Sequence, residues 1–191
     1  MKSMQTCEQV VEEASAGSKS WERLASEYTV CFVCTGNTCR SPMAAAVLNG
    51  MVRSGEDIRI PNRKDVKDPM HIRAVSAGLF AQEGMPITEL AVKALENAGI
   101  ESTPENPYRD HRARQIREDI VRKVDLIVGI SDMHAQLLRA AYPDQLDRIC
   151  ALPVDVPDPF GGDEETYANC LQQLISAIRT LFAPAEGGAV E

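Results

Sequence analysis

Four apolar segments of the chain have the composition of buried β-strands, because each is dominated by β-branched, aromatic or aliphatic residues. The strands are predicted at 28–34, 72–75, 124–130 and 148–152. Between and after them, apolar positions recur every three or four residues, and this spacing predicts amphipathic helices. The helices are predicted at 41–53, 89–98, 116–121, 133–141 and about 164–183. Strands and helices therefore alternate along the chain.

This alternation predicts an α/β fold with three layers. Successive strand–helix–strand units are right-handed, and they build a four-stranded parallel sheet with helices on both faces. We expect residues 1–28 to be an N-terminal extension, 29–184 to be a single domain and 185–191 to be a flexible tail. The extension is either a partly ordered segment resting on the domain or a docking arm built around Trp21. The 54–70 loop is either a solvated insertion or an edge over the functional site.

Charge and composition exclude several classes of protein. The net charge of −8 and the pI near 5.0 argue against nucleic acid as a partner. No apolar run approaches the ~20 residues that span a membrane, and the first residues lack the apolar stretch of a secretory signal. We therefore expect a cytoplasmic protein with no membrane partner. The six cysteines should be free thiols, and their irregular spacing and the isolated histidines predict no metal site and no cofactor.

The 34–41 loop is a short, tight connection between the first predicted strand and the first predicted helix. Gly36 and Asn37 are the residues best able to take a positive φ there. Ser41 suits the N-cap of the helix, and Pro42 suits its first position. Loop amides that converge beside a helix N-terminus form an anion site, and the Arg40 guanidinium can bind two oxygens of a phosphate. The sequence thus predicts a phosphate site at this loop.

Cys34 ends the first strand and should face the same hollow. The amides, the helix N-terminus and Arg40 favour its thiolate form, to which Ser41 can donate a hydrogen bond. A thiolate beneath a bound phosphate can attack phosphorus. A bare Cys-x5-Arg spacing is weak evidence, but the preceding strand, the internal Gly-Asn and the following Ser-Pro strengthen it.

A second segment, 155–162, follows the fourth strand and should reach the same edge of the sheet. The leaving group of a phosphoryl transfer needs a proton, and a carboxyl group on a Pro/Gly-rich loop can supply it. Asp155 and Asp158 are the candidates for this general acid. By itself, the Asp-Pro pair at 158–159 indicates only a turn.

The octet CTGNTCRS, residues 34–41, resembles the low-molecular-weight protein tyrosine phosphatase family, and most of all its bacterial protein arginine phosphatase branch. The Ser-Ala-Gly at 76–78 after the second strand also recurs in that family. The resemblance implies the strand order 2-1-3-4 and a phosphocysteine mechanism on a phosphorylated protein, with inorganic phosphate as product. It implies Cys34, Arg40 and Asp158 as catalytic residues. Asp158 is our choice for the general acid, with Asp155 as the fallback, because the Asp-Pro-Phe at 158–160 resembles the Asp-Pro-aromatic motif that carries the family's acid. The expected substrate-binding residues are Thr35, Gly36, Asn37, Thr38, Cys39, Ser41 and Phe160. Among them, Asn37 should hold the shape of the loop.

The preference between substrates depends chiefly on Thr38. The family's tyrosine phosphatases usually carry a branched aliphatic residue there, whereas its arginine phosphatases carry Thr. A small hydroxyl side chain favours a planar, polar guanidinium over a phenol ring. Phe160 should form one wall, where the tyrosine enzymes often carry Tyr. We therefore expect phosphoarginine as substrate, with phosphotyrosine second.

Several alternatives remain open from the sequence. Cys39 either forms a protective disulfide with Cys34 or is a small buried side chain. An arsenate reductase would need relay cysteines later in the chain, where Cys150 and Cys170 are predicted on a strand and a helix. A phosphoprotein-binding module would be expected to lack the nucleophile or the acid. His134 is expected on a helix surface, and the basic residues at 111–117 on a solvated face.

Overall fold

The computed structural model describes residues 27–61 and 71–183. Its sheet has four parallel strands in the order β2-β1-β3-β4. The strands are β1 Glu27–Cys34, β2 His71–Gly78, β3 Leu126–Gly129 and β4 Ile149–Ala151. This confirms the predicted fold class and strand order.

Five α-helices connect and cover these strands in the described ranges. They are α1 Arg40–Arg53, α2 Glu89–Asn97, α3 Glu118–Val121, α4 Asp132–Ala141 and α5 Glu164–Phe182. Two 3-10 turns lie at Tyr108–Asp110 and Pro143–Arg148. None of the helices in residues 27–61 and 71–183 is long and apolar enough to cross a membrane.

Alternate residues of β1 point into two separate cores, because side chains of a strand alternate between the faces of the sheet. Val30 and Phe32 pack in the cluster that contains α1, α2 and α5. Cys31 and Val33 pack in the smaller cluster under α3 and α4. An apolar cluster covers β1 on each face of the sheet, and all eight residues of the strand are buried. The helices on both faces complete the predicted three layers.

The carboxyl ends of the strands place the connecting loops along one edge of the sheet. Cys34 at the end of β1 is in register with Gly78 at the end of β2, and Val33 pairs with Gly129 at the end of β3. The backbone N–H of Leu152, just after β4, donates to the carbonyl oxygen of Gly129 at 2.9 Å. The 34–41 loop and the 152–163 segment therefore meet at this edge.

Local details differ from the sequence prediction. The helix after β1 begins at Arg40 with Cys39 as its N-cap, so the prediction of Ser41 as N-cap and Pro42 as first residue was wrong. On α4, the apolar residues Met133 and Leu137 are exposed, whereas Leu138 is buried. The predictions for the N-terminal extension, the C-terminal tail and the 62–70 part of the long loop lie outside the described residues. The domain boundaries stay predictions.

Candidate active site

The Cys34 sulfur lies at the base of the 34–41 loop and is only 3% exposed. The backbone N–H of Asn37 donates to it at 3.3 Å, and the Ser41 hydroxyl oxygen lies 3.0 Å away. The Ser41 hydroxyl also lies 3.1 Å from the Ala77 carbonyl oxygen, so its one hydrogen has two acceptors within reach. A thiolate is the stronger acceptor of the two. The arrangement therefore suits a charged sulfur.

Asn37 organises the loop from its centre. It has the positive φ of 56° that the turn requires, whereas Gly36, also expected there, does not. Its Nδ2 donates to the hydroxyls of Ser41 and Ser76, at 2.9 Å in each case. Its Oδ1 accepts the backbone N–H of Arg114 at 2.8 Å. One fully buried amide thus joins the loop to β2 and to the segment that precedes α3.

The Arg40 guanidinium links the 34–41 loop to the segment after β4. Its Nη2 donates to Asp158 Oδ2 at 2.6 Å, and its Nη1 donates to the Val156 carbonyl oxygen at 3.3 Å. Its Nε is buried and has no hydrogen-bond partner among the described residues. A buried, unsatisfied donor is costly, and an oxygen of a bound phosphoryl group would satisfy it. This feature fits an anion beside Cys34.

The two candidate acids occupy different places. Asp158 is anchored through both oxygens, since Oδ1 accepts the Phe160 backbone N–H at 3.2 Å while Oδ2 contacts Arg40. Half of its side chain remains exposed. Asp155 Oδ1 instead accepts the backbone N–H of Asp132 at 2.8 Å, at the first turn of α4. Of these two carboxyl groups, Asp158 is therefore the one that contacts the Arg40 guanidinium.

Two histidines support the loop from behind, and the sequence argument missed both. His111 Nε2 donates to the Asn37 carbonyl oxygen at 2.8 Å. His134 is fully buried, and its Nε2 lies 3.0 Å from the Thr35 hydroxyl oxygen. The prediction that His134 lies on the surface was wrong. Its spacing of four residues from the buried Leu138 was the signal that could have revealed its inward face.

Both imidazoles are biased towards the neutral form. Burial lowers the pKa of His111, and the nearby Arg112 and Arg114 add to this effect, although the hydrogen bond to Asn37 opposes it. Burial likewise lowers the pKa of His134. The Arg40 charge lowers it further, while Asp158 and Asp155 raise it. Each ring therefore acts as an uncharged hydrogen-bonding group at neutral pH.

Aromatic residues and Thr38 lie around the mouth of the loop. Thr38 is partly exposed, and its carbonyl oxygen accepts the Thr88 backbone N–H at 2.9 Å. Phe160, predicted as a wall, is 74% exposed beside Asp158. Phe80, which the sequence argument did not single out, is 71% exposed, and its backbone N–H donates to the Thr35 carbonyl oxygen at 2.9 Å. Two exposed aromatic side chains thus border the site on different loops.

Cys39 is a buried residue of the 34–41 loop. Its sulfur lies 3.2 Å from the Tyr167 hydroxyl and accepts from the Thr88 hydroxyl at 3.6 Å. Cys34 and Cys39 are both free thiols, so the protective disulfide stays a prediction.

The later cysteines are poorly suited to a disulfide relay. Burial raises the pKa of the Cys150 thiol to about 11 and that of the Cys170 thiol to about 12. Such thiols are protonated at neutral pH and are weak nucleophiles.

In the described part of the chain, no group of three or more His, Cys, Asp or Glu side chains could hold a metal ion.

The chain is similar in sequence to known phosphatases. The family model for the low molecular weight phosphotyrosine protein phosphatase matches residues 29–187. A protein-arginine-phosphatase from Geobacillus stearothermophilus is 30% identical over 161 residues, which covers 81% of this chain and 93% of that protein. A low molecular weight protein-tyrosine-phosphatase from Streptomyces coelicolor is 31% identical over 168 residues, covering 82% and 92% respectively.

The fold is similar to solved structures as well. The crystal structure of a low molecular weight protein tyrosine phosphatase from T. tengcongensis aligns with a TM-score of 0.67 and 33% sequence identity. The alignment covers 81% of this chain and 97% of that protein. Relatives of both substrate classes are therefore similar to this chain at comparable identity.

Proposed function

The chain belongs to the low molecular weight phosphotyrosine protein phosphatase family, and we propose that within this family it hydrolyses phosphoarginine in proteins through a phosphocysteine intermediate. The observation that supports the proposed chemistry is the hydrogen bond from Arg40, at the end of the 34–41 loop, to Asp158 on the segment after β4. The same loop carries Cys34, whose sulfur contacts a backbone amide and a hydroxyl.

In the first step, the Cys34 thiolate attacks phosphorus and forms an S–P bond. The P–N bond to the arginine side chain breaks, and its electron pair stays on the guanidine nitrogen. Asp158 in its acid form donates a proton to that nitrogen, so the product leaves as an ordinary arginine side chain. Arg40 and the loop amides stabilise the negative charge on the equatorial oxygens.

In the second step, a water molecule attacks the phosphocysteine. The Asp158 carboxylate accepts a proton from that water, and the S–P bond breaks to return the Cys34 thiolate and inorganic phosphate. The reaction requires no redox partner. Because Asp158 is half exposed, water can reach it from the solvent side. We place this reaction in the cytoplasm, as the sequence analysis expects.

Two features support phosphoarginine as the preferred group. Thr38 offers a small hydroxyl side chain at the mouth, which provides little apolar packing for a phenol ring. The relative from Geobacillus stearothermophilus, matched over 93% of its length, is named a protein-arginine-phosphatase. Phosphotyrosine is the second candidate, since the exposed rings of Phe80 and Phe160 could flank an aryl group and the Streptomyces coelicolor relative is named a tyrosine phosphatase.

The deciding experiment compares phosphate release from a phosphoarginine protein and from a phosphotyrosine peptide, with Cys34→Ser as the blank. We expect a higher kcat/KM on phosphoarginine. Thr38→Ile should shift the ratio of the two kcat/KM values towards phosphotyrosine, because it exchanges the hydroxyl for an apolar wall.

Thr180→Ile is the matched control, because Thr180 is exposed in the last turn of α5, far from the 34–41 loop. It should leave the ratio unchanged. A wild-type preference for phosphotyrosine would refute the phosphoarginine assignment and leave the cysteine mechanism intact. Release that does not depend on Cys34 would refute the mechanism itself.

A further inference from the structure

The His134 imidazole connects α4 to the residue that directly follows the nucleophile. Its Nε2 lies 3.0 Å from the Thr35 hydroxyl oxygen, and its Nδ1 lies 2.6 Å from the Ser131 hydroxyl oxygen. The ring is fully buried, so these two contacts define its orientation. Ser131 is the N-cap of α4, which ties the ring to the start of that helix.

The ring uses both of its nitrogens for hydrogen bonding. Ser131 Oγ accepts the backbone N–H of His134 at 3.4 Å and also forms a hydrogen bond with Nδ1. Nε2 donates to Thr35 Oγ1 in one neutral tautomer and accepts from it in the other. In both tautomers the ring is hydrogen-bonded to the Thr35 hydroxyl.

The position of the ring makes this bond relevant to the chemistry. Arg40, Asp158 and Asp155 all act on the charge of His134, so the imidazole lies within the electrostatic reach of the groups assigned to phosphate binding and proton transfer. A neutral ring can hold Thr35 without adding a second positive charge beside Arg40. Within residues 27–61 and 71–183, the ring hydrogen-bonds to Thr35 and Ser131 and not to Cys34, Arg40 or Asp158, so its link to the site runs through Thr35.

We propose that His134 is a positioning residue for phosphoryl transfer, because its hydrogen bond through Nε2 fixes the Thr35 hydroxyl and with it the start of the 34–41 loop. It acts through Thr35 and does not touch the substrate. The inference rests on the proposed function only in requiring Cys34 to be the nucleophile, and it does not depend on which amino acid carries the phosphoryl group.

Two amide substitutions separate the two contacts of the ring. His134→Asn places its amide near the position of Nδ1, so it can contact Ser131 but is too short to reach Thr35. His134→Gln extends to the position of Nε2 and can donate to Thr35. With p-nitrophenyl phosphate as probe, kcat/KM should fall about tenfold in His134→Asn and should be restored to within about threefold of wild type in His134→Gln.

A double-mutant cycle tests whether the effect runs through Thr35. Thr35→Val removes the hydroxyl and keeps the shape of the side chain. The double variant Thr35→Val/His134→Asn should lose no more kcat/KM than the worse single variant, because both changes break the same bond. His71→Gln is the matched control, since His71 is exposed at the opposite end of β2 and should behave as wild type.

The outcomes distinguish this inference from the proposed function. Equal activity in His134→Asn and His134→Gln, or multiplicative losses in the double variant, would overturn the role of His134 while Cys34-dependent turnover persists. Wild-type turnover equal to that of Cys34→Ser would instead overturn the proposed function, and the positioning role with it. Thermal unfolding of each variant shows whether a loss of activity reflects a loss of folded protein.

Discussion

Arg40 and Asp158 are 118 residues apart in the sequence, and yet Arg40 Nη2 donates a 2.6 Å hydrogen bond to Asp158 Oδ2. The arginine side chain is 8% exposed and the aspartate side chain 50% exposed, so the pair joins the buried floor of the site to its solvent-facing edge. A phosphoryl group bound by Arg40 would compete with Asp158 for the same guanidinium. Binding of substrate and release of the proposed acid are therefore coupled in this geometry.

Asp158→Asn should lower kcat on a phosphoprotein by about 10²–10⁴-fold, because an amide can neither donate nor accept the proton in the two steps. The loss should be smaller with p-nitrophenyl phosphate, whose leaving group is weakly basic and needs less protonation. Steady-state kinetics on both substrates measures the difference. Asp155→Asn is the matched control and should change kcat only a few-fold, since Asp155 contacts the start of α4. Equal losses in the two variants would contradict the assignment of the acid.

Asn37→Ala should lower the free energy of unfolding by about 2–4 kcal/mol, because it leaves the buried partners of the amide unsatisfied. The positive φ of 56° adds a second effect. Asn37→Gly should be more stable than Asn37→Ala by about 0.5–1 kcal/mol, because glycine adopts this conformation without strain. Urea unfolding of both variants measures these differences.

Asn49 provides a control at which alanine should be the more stable substitution and glycine the less stable one. It also forms two side-chain bonds to a backbone, with the N–H and the carbonyl oxygen of Ala74, but it lies within α1. Asn49→Gly should therefore be less stable than Asn49→Ala by about 1 kcal/mol, as helix propensity dictates. If glycine were also the worse substitution at Asn37, the argument from the positive φ would fail.

Gly78→Ala should disturb both stability and activity. A Cβ at this position would lie 2.7 Å from the Thr35 carbonyl oxygen and 3.0 Å from the Asn37 Cβ, so the 34–41 loop must move. We expect a loss of about 1–3 kcal/mol in the free energy of unfolding. We also expect kcat/KM to fall by up to about 100-fold, because the displaced loop carries Cys34. Urea unfolding and steady-state kinetics measure the two effects.

Gly50→Ala is the control for this substitution. Gly50 lies in α1, where the nearest atom to a new Cβ is the Ile100 Cγ2 at 3.7 Å. Alanine should raise the free energy of unfolding by about 0.5–1 kcal/mol there, with unchanged kcat/KM. A stable, fully active Gly78→Ala protein would show that the close approach of β2 to the loop is not required.

The sequence predicted the parts of the structure that local patterns determine. The β1 strand, the turn chemistry at Asn37 and the spacing between Cys34 and Arg40 lie within a few residues of one another, so one segment reveals them together. The sheet topology then brought Asp158 to the same edge, since parallel strands end on the same side. These inferences required no knowledge of side-chain contacts.

The contacts behind the loop could not be predicted in the same way. His134, His111 and Phe80 come from three separate segments, and the fold is what brings them to the same loop. The spacing between His134 and the buried Leu138 could have indicated that His134 is buried, but it could not have identified Thr35 as its partner. The N-cap was misassigned because the Ser41 hydroxyl interacts within the loop instead of capping α1.

Two buried histidines connect the stability of the protein to pH. The pKa values of His111 and His134 are lowered from the ordinary value of 6.5, chiefly by burial. An unfolded chain exposes both rings and restores that ordinary value. At pH values below about 6.5, the unfolded state therefore binds more protons than the folded state.

Above pH 6.5, these two histidines should therefore not change the free energy of unfolding with pH. Below pH 6.5, they should cause it to decrease as the pH falls. Urea unfolding between pH 7.5 and pH 5 measures this slope. The double variant His111→Gln/His134→Gln should be less stable at pH 7.5, because the glutamine amides replace the imidazoles imperfectly, but its stability should depend less steeply on pH below 6.5. His71→Gln is the control for exchanging a histidine for glutamine at an exposed position. The same slope in the double variant and in wild type would mean that carboxylates, and not these imidazoles, cause the acid sensitivity.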